Sequence, residues 1–530
     1  MDSKLNKVEL FAYFSVWIFA NIFSLYKLYV AQTSILDNNS GLLRSIDDLT
    51  PGWRFISRLK DVSDIEWISW KYFIQKFWYS FIIQFSVSEL IRRTNVHNKE
   101  LLKYWYIMSS IFFVIFHMGY RQFILIIAQP LIFFTIIILG GKKLSIWFTG
   151  IILLVCYNSL KYKYFFWYFL DNEELKDEEV YLVLFTVAWI ELRCISFCID
   201  YVEKKRKIQD MDGVLPSALE TLVNMLSYVL YLPLLYIGPM ILYEDFENSF
   251  YATNELLWPR LKRFISDILL YQIYSFCLDV AFHYIYFYAM QSNMEALRKL
   301  PPLALCGGGL WMGIEFHLKY VISYGTTSAF ARLDHLEPPP TPRCIARVHV
   351  YSQMWRYFDV GLYKFLVKYI YKPSFNTLIE NYCFPKMVYK LFASFAAFLF
   401  IFMWHGTAWN IFIWSVLNYL GITLEVTGKV ISETAEYKWF KENILQTDQM
   451  ETRFTAMLCA PLLAMSAVSN FYLFAGTKVG DLFFERLAQP TFWNSIIISL
   501  ALYSCCQVSM ALKNVSSRSD RKINDAKFMQ

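Results

Sequence analysis

Apolar runs of about 20 residues, long enough to span the hydrocarbon core of a bilayer, recur from one end of this chain to the other. In lipid the backbone polar groups must pair within the protein, so a spanning segment is either a helix or a strand of a closed barrel. These runs are too long and too continuously apolar for barrel strands, which alternate over roughly ten residues. The fold class is therefore read as all-α, a polytopic membrane protein. Composition agrees: 18% of the 530 residues are charged and 56% are hydrophobic, whereas a soluble domain averages about 25% charged.

The first run, Leu10–Val30, follows Lys4 and Lys7 and lacks a small-residue cleavage site, so it reads as a signal anchor. Residues 31–70 form a polar, luminal loop in which Asn38-Asn39-Ser40 matches a glycosylation acceptor. Further spans are expected near Phe73–Leu90, Tyr104–Tyr120, Phe123–Gly140, Ile146–Tyr157, Val180–Cys198, Leu222–Tyr243, Ile265–Ala289 and Leu303–Ser328. Later ones are Met387–Trp404, Trp409–Ile422, Thr455–Phe474 and Pro490–Leu512. With a few of these re-entrant, the length rule gives roughly ten to twelve crossings. Basic clusters at Lys142-Lys143, Lys204 to Lys207 and Arg518/Arg521/Lys522 mark cytoplasmic sides, which puts both termini in the cytosol.

One membrane domain covers 1–530, with a Pro-rich loop at 334–347 and a cytosolic tail at 513–530. The net charge of +6 is scattered in short clusters, so no nucleic-acid surface is expected. The ten cysteines show no zinc-type spacing. Most lie within apolar runs, where a thiol acts as a small buried hydrophobe.

Chemistry concentrates in two places. Phe398–Asn418, FLFIFMWHGTAWNIFIWSVLN, contains a single ionisable residue, His405, at the point where one apolar helix ends and Gly406 permits close backbone approach. An ionisable group at membrane depth is costly and points to function; the other reading is a histidine hydrogen-bonded in a helix corner. The second place is Met354–Lys372, MWRYFDVGLYKFLVKYIYK. Read as one helix, it puts Trp355, Phe358, Leu362, Phe365, Leu366 and Tyr369 on one stripe, with Lys364, Lys368 and Lys372 opposite and Asp359 about 40° from Trp355. That is an interfacial amphipathic helix with its lysines towards headgroups or phosphates. Alternatively Asp359 simply pairs with Arg356 at i,i+3.

Glu191/Arg193, Asp279/His283 and Glu315/Lys319 are expected either to pair locally or to line a cavity, with i,i+4 spacing favouring pairing for the last two. His117 and His317 read as ordinary buried histidines. Gly307-Gly308-Gly309, inside an apolar run, reads as close helix packing.

The residues Met403-Trp404-His405-Gly406, preceded by Met354-Trp355-Arg356-Tyr357-Phe358-Asp359, resemble the membrane-bound O-acyltransferase superfamily, and within it the branch that acylates hedgehog proteins. Tyr231-Leu232-Pro233 through Gly238-Pro239 and Val468-Ser469-Asn470-Phe471 extend the resemblance over most of the chain. It implies a helical bundle around a central tunnel, and transfer of palmitate from palmitoyl-coenzyme A to the amino-terminal cysteine of a hedgehog signalling protein. The implied location is the endoplasmic reticulum membrane or the Golgi, among membrane lipids. His405 then matches the catalytic histidine and Asp359 the second catalytic position. Trp355, Arg356 and Asn470 match positions near the acyl donor, with Arg356 suited to a phosphate and Asn470 to a carbonyl. Cys344, between Arg343 and Arg347, matches a ligand to a haem iron; a palmitoylated or unmodified cysteine is the alternative. Rival readings are an acyltransferase for another secreted protein or a lipid, and a catalytically silent scaffold or transporter.

Overall fold

The computed structural model describes residues 5–37, 48–94, 99–161, 177–211, 215–251, 256–344, 349–488 and 491–528. The glycosylation match at Asn38-Asn39-Ser40 and Arg347 lie outside them. The chain is all-α. Its helices are α1 (Lys7–Asp37), α2 (Ile65–Thr94), α3 (Lys99–Phe113), α4 (Tyr120–Ile138), α5 (Lys143–Lys161), α6 (Asp177–Asp210), α7 (Ala218–Val229), α8 (Leu257–Ala281) and α9 (Pro302–Leu333). They continue as α10 (Tyr351–Tyr357), α11 (Val360–Leu366), α12 (Lys372–Asn381), α13 (Lys386–His405), α14 (Trp409–Ser432), α15 (Asp448–Ala488) and α16 (Phe492–Phe528). The expected polar loop holds a two-stranded antiparallel hairpin, β1 (Leu49–Pro51) on β2 (Leu59–Asp61).

Among the described residues nine helices are long and apolar enough to cross a membrane, and α5 contributes a shorter apolar stretch, Lys143–Asn158. Helix α6 is the enclosed one: Val183, Val187, Trp189, Ile190, Leu192, Ile195 and Cys198 are all buried. A helix apolar on every side is stable in either setting, lipid or protein core. By contrast α1 fully buries only Leu28 and Gln32; Leu25, Ala31, Ile35 and Leu36 pack partly buried against the core, and Val8, Phe11, Phe19 and Ile22 are exposed. It is held against α9 through the glycine run. A Cβ at Gly307 would strike the Ser24 carbonyl, one at Gly308 the Phe287 ring and one at Gly309 the Phe471 ring. The reading of these glycines as close packing is borne out.

Three expectations change. The run Leu222–Tyr243 is not a span: α7 stops at Val229, and a four-residue helical turn, Leu232–Leu235, precedes a cis Gly238-Pro239 bond. Tyr228, Tyr231, Leu234, Tyr236 and Met240 are buried there all the same, so the apolar run reports enclosure within protein. Second, Met354–Lys372 is not one amphipathic helix. It breaks at Phe358-Asp359 into α10 and α11, followed by a π turn at Val367–Tyr371. Its lysines meet carboxylates: Lys364 reaches Asp245 at 3.3 Å, and Lys368 reaches Asp200 at 3.1 Å and Glu244 at 3.0 Å. Third, of the cysteines in apolar runs, Cys277 is exposed on α8, while Cys194, Cys198, Cys459 and Cys506 are buried as expected.

The charged residues within apolar segments are sorted by geometry. Lys319 pairs with Glu315 at 3.7 Å, one turn away, and with Asp64 and Glu66 at 2.7 Å each. Asp279 pairs with Lys60 at 2.9 Å and Lys71 at 2.5 Å. The His283 side chain bonds the Asp279 carbonyl through Nδ1 at 2.8 Å and accepts the Trp53 N–H on Nε2 at 3.0 Å. Residues two apart on a helix do not face each other. Accordingly Arg193 donates to the Val229 and Leu234 carbonyls, while Glu191 lines a cavity.

Candidate active site

The helices enclose a partly open cavity of about 1930 Å³, walled by α1, α6, α9, α15 and α16 and reaching α5, α10, α11, α13 and α14. Ordinary small-molecule sites run to roughly 300–1,000 Å³, so this one has room for more than a compact metabolite.

His405 reaches the cavity because α13 ends on it. The sequence Lys386–His405 is a continuous apolar helix entered through Pro385 and closed by Gly406 at φ 100°, ψ 143°. A residue with a Cβ is strained at that positive φ, so the glycine fixes both the stop and the turn into α14. The imidazole lies between two indoles, with ring centroids 4.9 Å from Trp404 and 5.1 Å from Trp414, both edge-on. Trp404 is anchored in turn by its Nε1–H on the Ala188 carbonyl at 3.2 Å.

Asp359 stands at the other chain break. It is the N-cap of α11, its Oδ1 accepting the Leu362 N–H at 2.9 Å, a role for which Asp is among the favoured residues. Oδ2 accepts the Tyr324 hydroxyl at 2.9 Å. The i,i+3 pairing with Arg356 is not made. Lying deep in the protein, the carboxyl is pushed above its usual range by loss of solvation, an effect opposed in part by the Leu362 N–H and the Tyr324 hydroxyl.

Asp359 and His405 line the same cavity, and the wall between them is a run of rings. Tyr324 lies 6.5 Å from Trp189, Trp189 lies 5.4 Å from Trp404, and Trp404 stacks edge-on to His405. On the other side, Trp414 links His405 to the remaining candidates. Its Nε1–H donates to Asn470 Oδ1 at 3.2 Å, and its ring lies 5.5 Å from that of Trp355. Trp355 donates to Asn418 Oδ1 at 3.1 Å. Asn470 thus has its oxygen occupied and turns its amide nitrogen towards the Met354 sulfur at 3.6 Å, a weak acceptor.

Two candidates differ from the expectation. Arg356 is exposed and lies over the Tyr363 ring at 5.8 Å, outside the cavity wall. Cys344 does line the cavity but is exposed. Among the described residues no three His, Cys, Asp or Glu side chains gather where they could hold a metal ion. A haem needs an enclosing apolar slot besides its axial thiolate. The exposed Cys344 sulfur does not fit that requirement, so no step is routed through a haem.

Tyr324, Trp414, Asn418 and Trp189 were not legible as site residues. Trp414 and Asn418 lie within the stretch that carries His405. Their spacing of nine and thirteen residues from it gives no signal until the turn at Gly406 folds α14 back beside α13. Tyr324 lies in the apolar run of α9, 35 residues from Asp359.

A multi-pass helical protein with a histidine and a carboxylate in one membrane-embedded cavity matches a known class. The model of MBOAT, the membrane-bound O-acyltransferase family, covers residues 133–447, and the chain belongs to that family. Among its relatives is the protein-cysteine N-palmitoyltransferase Rasp of Drosophila melanogaster, 28% identical over 96% of this chain and 96% of the relative. The protein-cysteine N-palmitoyltransferase HHAT of Mus musculus is 25% identical over 93% and 95%. The mouse HHAT-like protein is 24% identical over 80% and 78%.

Proposed function

We propose that this protein transfers palmitate from palmitoyl-coenzyme A to the amino-terminal cysteine amine of a hedgehog-type signalling protein, in the endoplasmic reticulum membrane. The observation that carries the reading is the convergence of two chain breaks, one at His405 and one at Asp359, on a single large cavity. Similarity along nearly the whole chain to relatives named protein-cysteine N-palmitoyltransferase supports it.

The chemistry follows from the groups present. An α-amine has a pKa of about 7.7–8.0, so an appreciable fraction is neutral and nucleophilic at physiological pH. Its nitrogen attacks the thioester carbon, the carbon–sulfur bond breaks, and the amine loses a proton. His405 takes that proton as general base and returns it to the coenzyme A thiolate. Asn470, its oxygen fixed by Trp414, offers N–H to the carbonyl oxygen as negative charge develops there. Asp359, with both oxygens held by Leu362 and Tyr324, draws the cationic amine into the cavity. Trp355 walls the donor's thioester end.

The test is transfer in detergent with purified protein, palmitoyl-coenzyme A and a hedgehog amino-terminal peptide. The expected product is a hydroxylamine-stable amide on the free peptide and none on its N-acetylated form. Equal labelling of both peptides, or of neither, rejects the reading.

A further inference from the structure

Among the described residues three cations line the cavity: Lys319, Arg343 and Arg486. They differ in what they have left to offer. Lys319 is closed off by Asp64, Glu66 and Glu315. Arg486 donates from its guanidinium to the Arg298 carbonyl at 3.0 Å, at the far end of α15. Arg343 forms no ion pair with any described carboxylate, and it is held in place by other means. Its backbone N–H bonds the Tyr357 carbonyl at 2.9 Å, and its guanidinium carbon lies 3.7 Å from the Tyr357 ring centroid. Stacking on an aromatic face fixes the plane of an arginine while leaving its N–H edge open. Met354, Trp355 and Asp359 line the same cavity.

A planar, pre-oriented guanidinium without a carboxylate is built to receive a phosphate in a two-pronged bond. The donor in the proposed reaction carries phosphates at one end and the thioester at the other. The other acidic groups in the wall, among them Asp48, Asp64 and Glu66, offer no contact to a phosphate, the last two being paired with Lys319. We propose that Arg343, and not the neighbouring Arg356, binds a phosphate of the acyl donor and sets how far its thioester enters towards His405. The role is in donor binding, and it rests on the acyl-donor part of the function proposed above.

The test is direct binding of a non-hydrolysable thioether analogue of palmitoyl-coenzyme A, alongside an S-palmityl pantetheine thioether that lacks every phosphate. Losing a charge-assisted hydrogen-bonded pair weakens binding by about 10- to 100-fold. That is the loss expected for Arg343→Ala with the coenzyme A analogue, with a smaller one for Arg343→Lys, which keeps the charge without the fork. With the pantetheine compound, Arg343→Ala and the unaltered protein should bind equally. Arg356→Ala should match the unaltered protein on both. Unchanged binding of the coenzyme A analogue by Arg343→Ala overturns the assignment, as does an equal loss on the phosphate-free compound. If the unaltered protein binds the analogue but acylates no peptide, the acceptor reading fails and Arg343 keeps its role.

Discussion

Two polar groups share the wall of one cavity and are built on opposite plans. Around Lys319, three carboxylates lie within 4 Å of one ammonium, and the Tyr288 hydroxyl donates to Glu315 at 2.6 Å. Around His405 the neighbours are indole edges, and the charge-bearing partner of the site, Asp359, arrives on a separate chain break. Charges neutralised by one another in a dry interior hold helices together, at the expense of freedom to react. The imidazole stands at a helix end that lines the cavity, between two indoles. The first group is an ion cluster that joins α9 to the start of α2, and the second is the one to which the proposed reaction is assigned.

The difference breaks most visibly at His405. Removing the general base is expected to lower transfer by about 10²- to 10⁴-fold in His405→Ala. The melting temperature in detergent should fall less than on loss of Lys319, which ties three carboxylates together. Full activity in a folded His405→Ala protein would place the base elsewhere.

Lys319→Met should show the converse. Three carboxylates would lose their only shared cation, and breaking a buried pair by removing one partner costs about 3–5 kcal/mol. The expected readout is a lower unfolding temperature and poor recovery of folded protein. Adding Glu315→Gln to Lys319→Met should restore part of the loss by removing one of the stranded charges. A Lys319→Met protein of normal stability but no activity would move this cluster from the fold into the reaction.

A smaller effect is expected at Trp414→Phe, which keeps a ring beside His405 and deletes the N–H that holds Asn470. One neutral hydrogen bond is worth about 0.5–1.5 kcal/mol, or roughly a two- to twelvefold change. Its place is turnover rather than donor binding in the proposed mechanism, where Asn470 acts on the carbonyl as charge develops. A change confined to the KM for palmitoyl-coenzyme A would assign Trp414 to packing of the donor instead.

Both plans were partly readable beforehand, for different reasons. The helix break at His405 follows from local chemistry, a glycine after a continuous apolar helix, and it stands where expected. Glu315 and Lys319 were legible as a pair because i,i+4 spacing is a property of one helix. Asp64 and Glu66 were not, since 255 positions separate Asp64 from Lys319 and only the packing of α2 on α9 joins them. The break at Asp359 was misread because Met354–Lys372 has helical periodicity throughout. Periodicity records which face is buried and says nothing of a two-residue break that resets the helix. Arg356 was placed near the acyl donor by the family resemblance; in the structure it is exposed and off the cavity wall, while the loop residue Arg343 lines the cavity.

The smallest expected effect separates the two parts that Asp359 can play beside His405. Asn caps a helix as well as Asp does, so Asp359→Asn should keep the bond from Leu362 and alter chiefly the charge. Loss of solvation raises the carboxyl's pKa in the folded protein, so between the ordinary carboxylate value of about 3.9 and that raised value the folded state binds more protons than the unfolded one. Stability then falls as pH rises through this window and stays lower above it. Compared with Asp359→Asn, which does not titrate there, the unaltered protein should therefore gain in melting temperature on acidification. If Asp359 instead orients a protonated His405, the ion pair would depress the carboxyl's pKa, and the unaltered protein would lose ground as pH falls. Melting curves of the two proteins between about pH 4 and 8 thus distinguish a carboxylate that waits for the acceptor's amine from one already committed to the histidine.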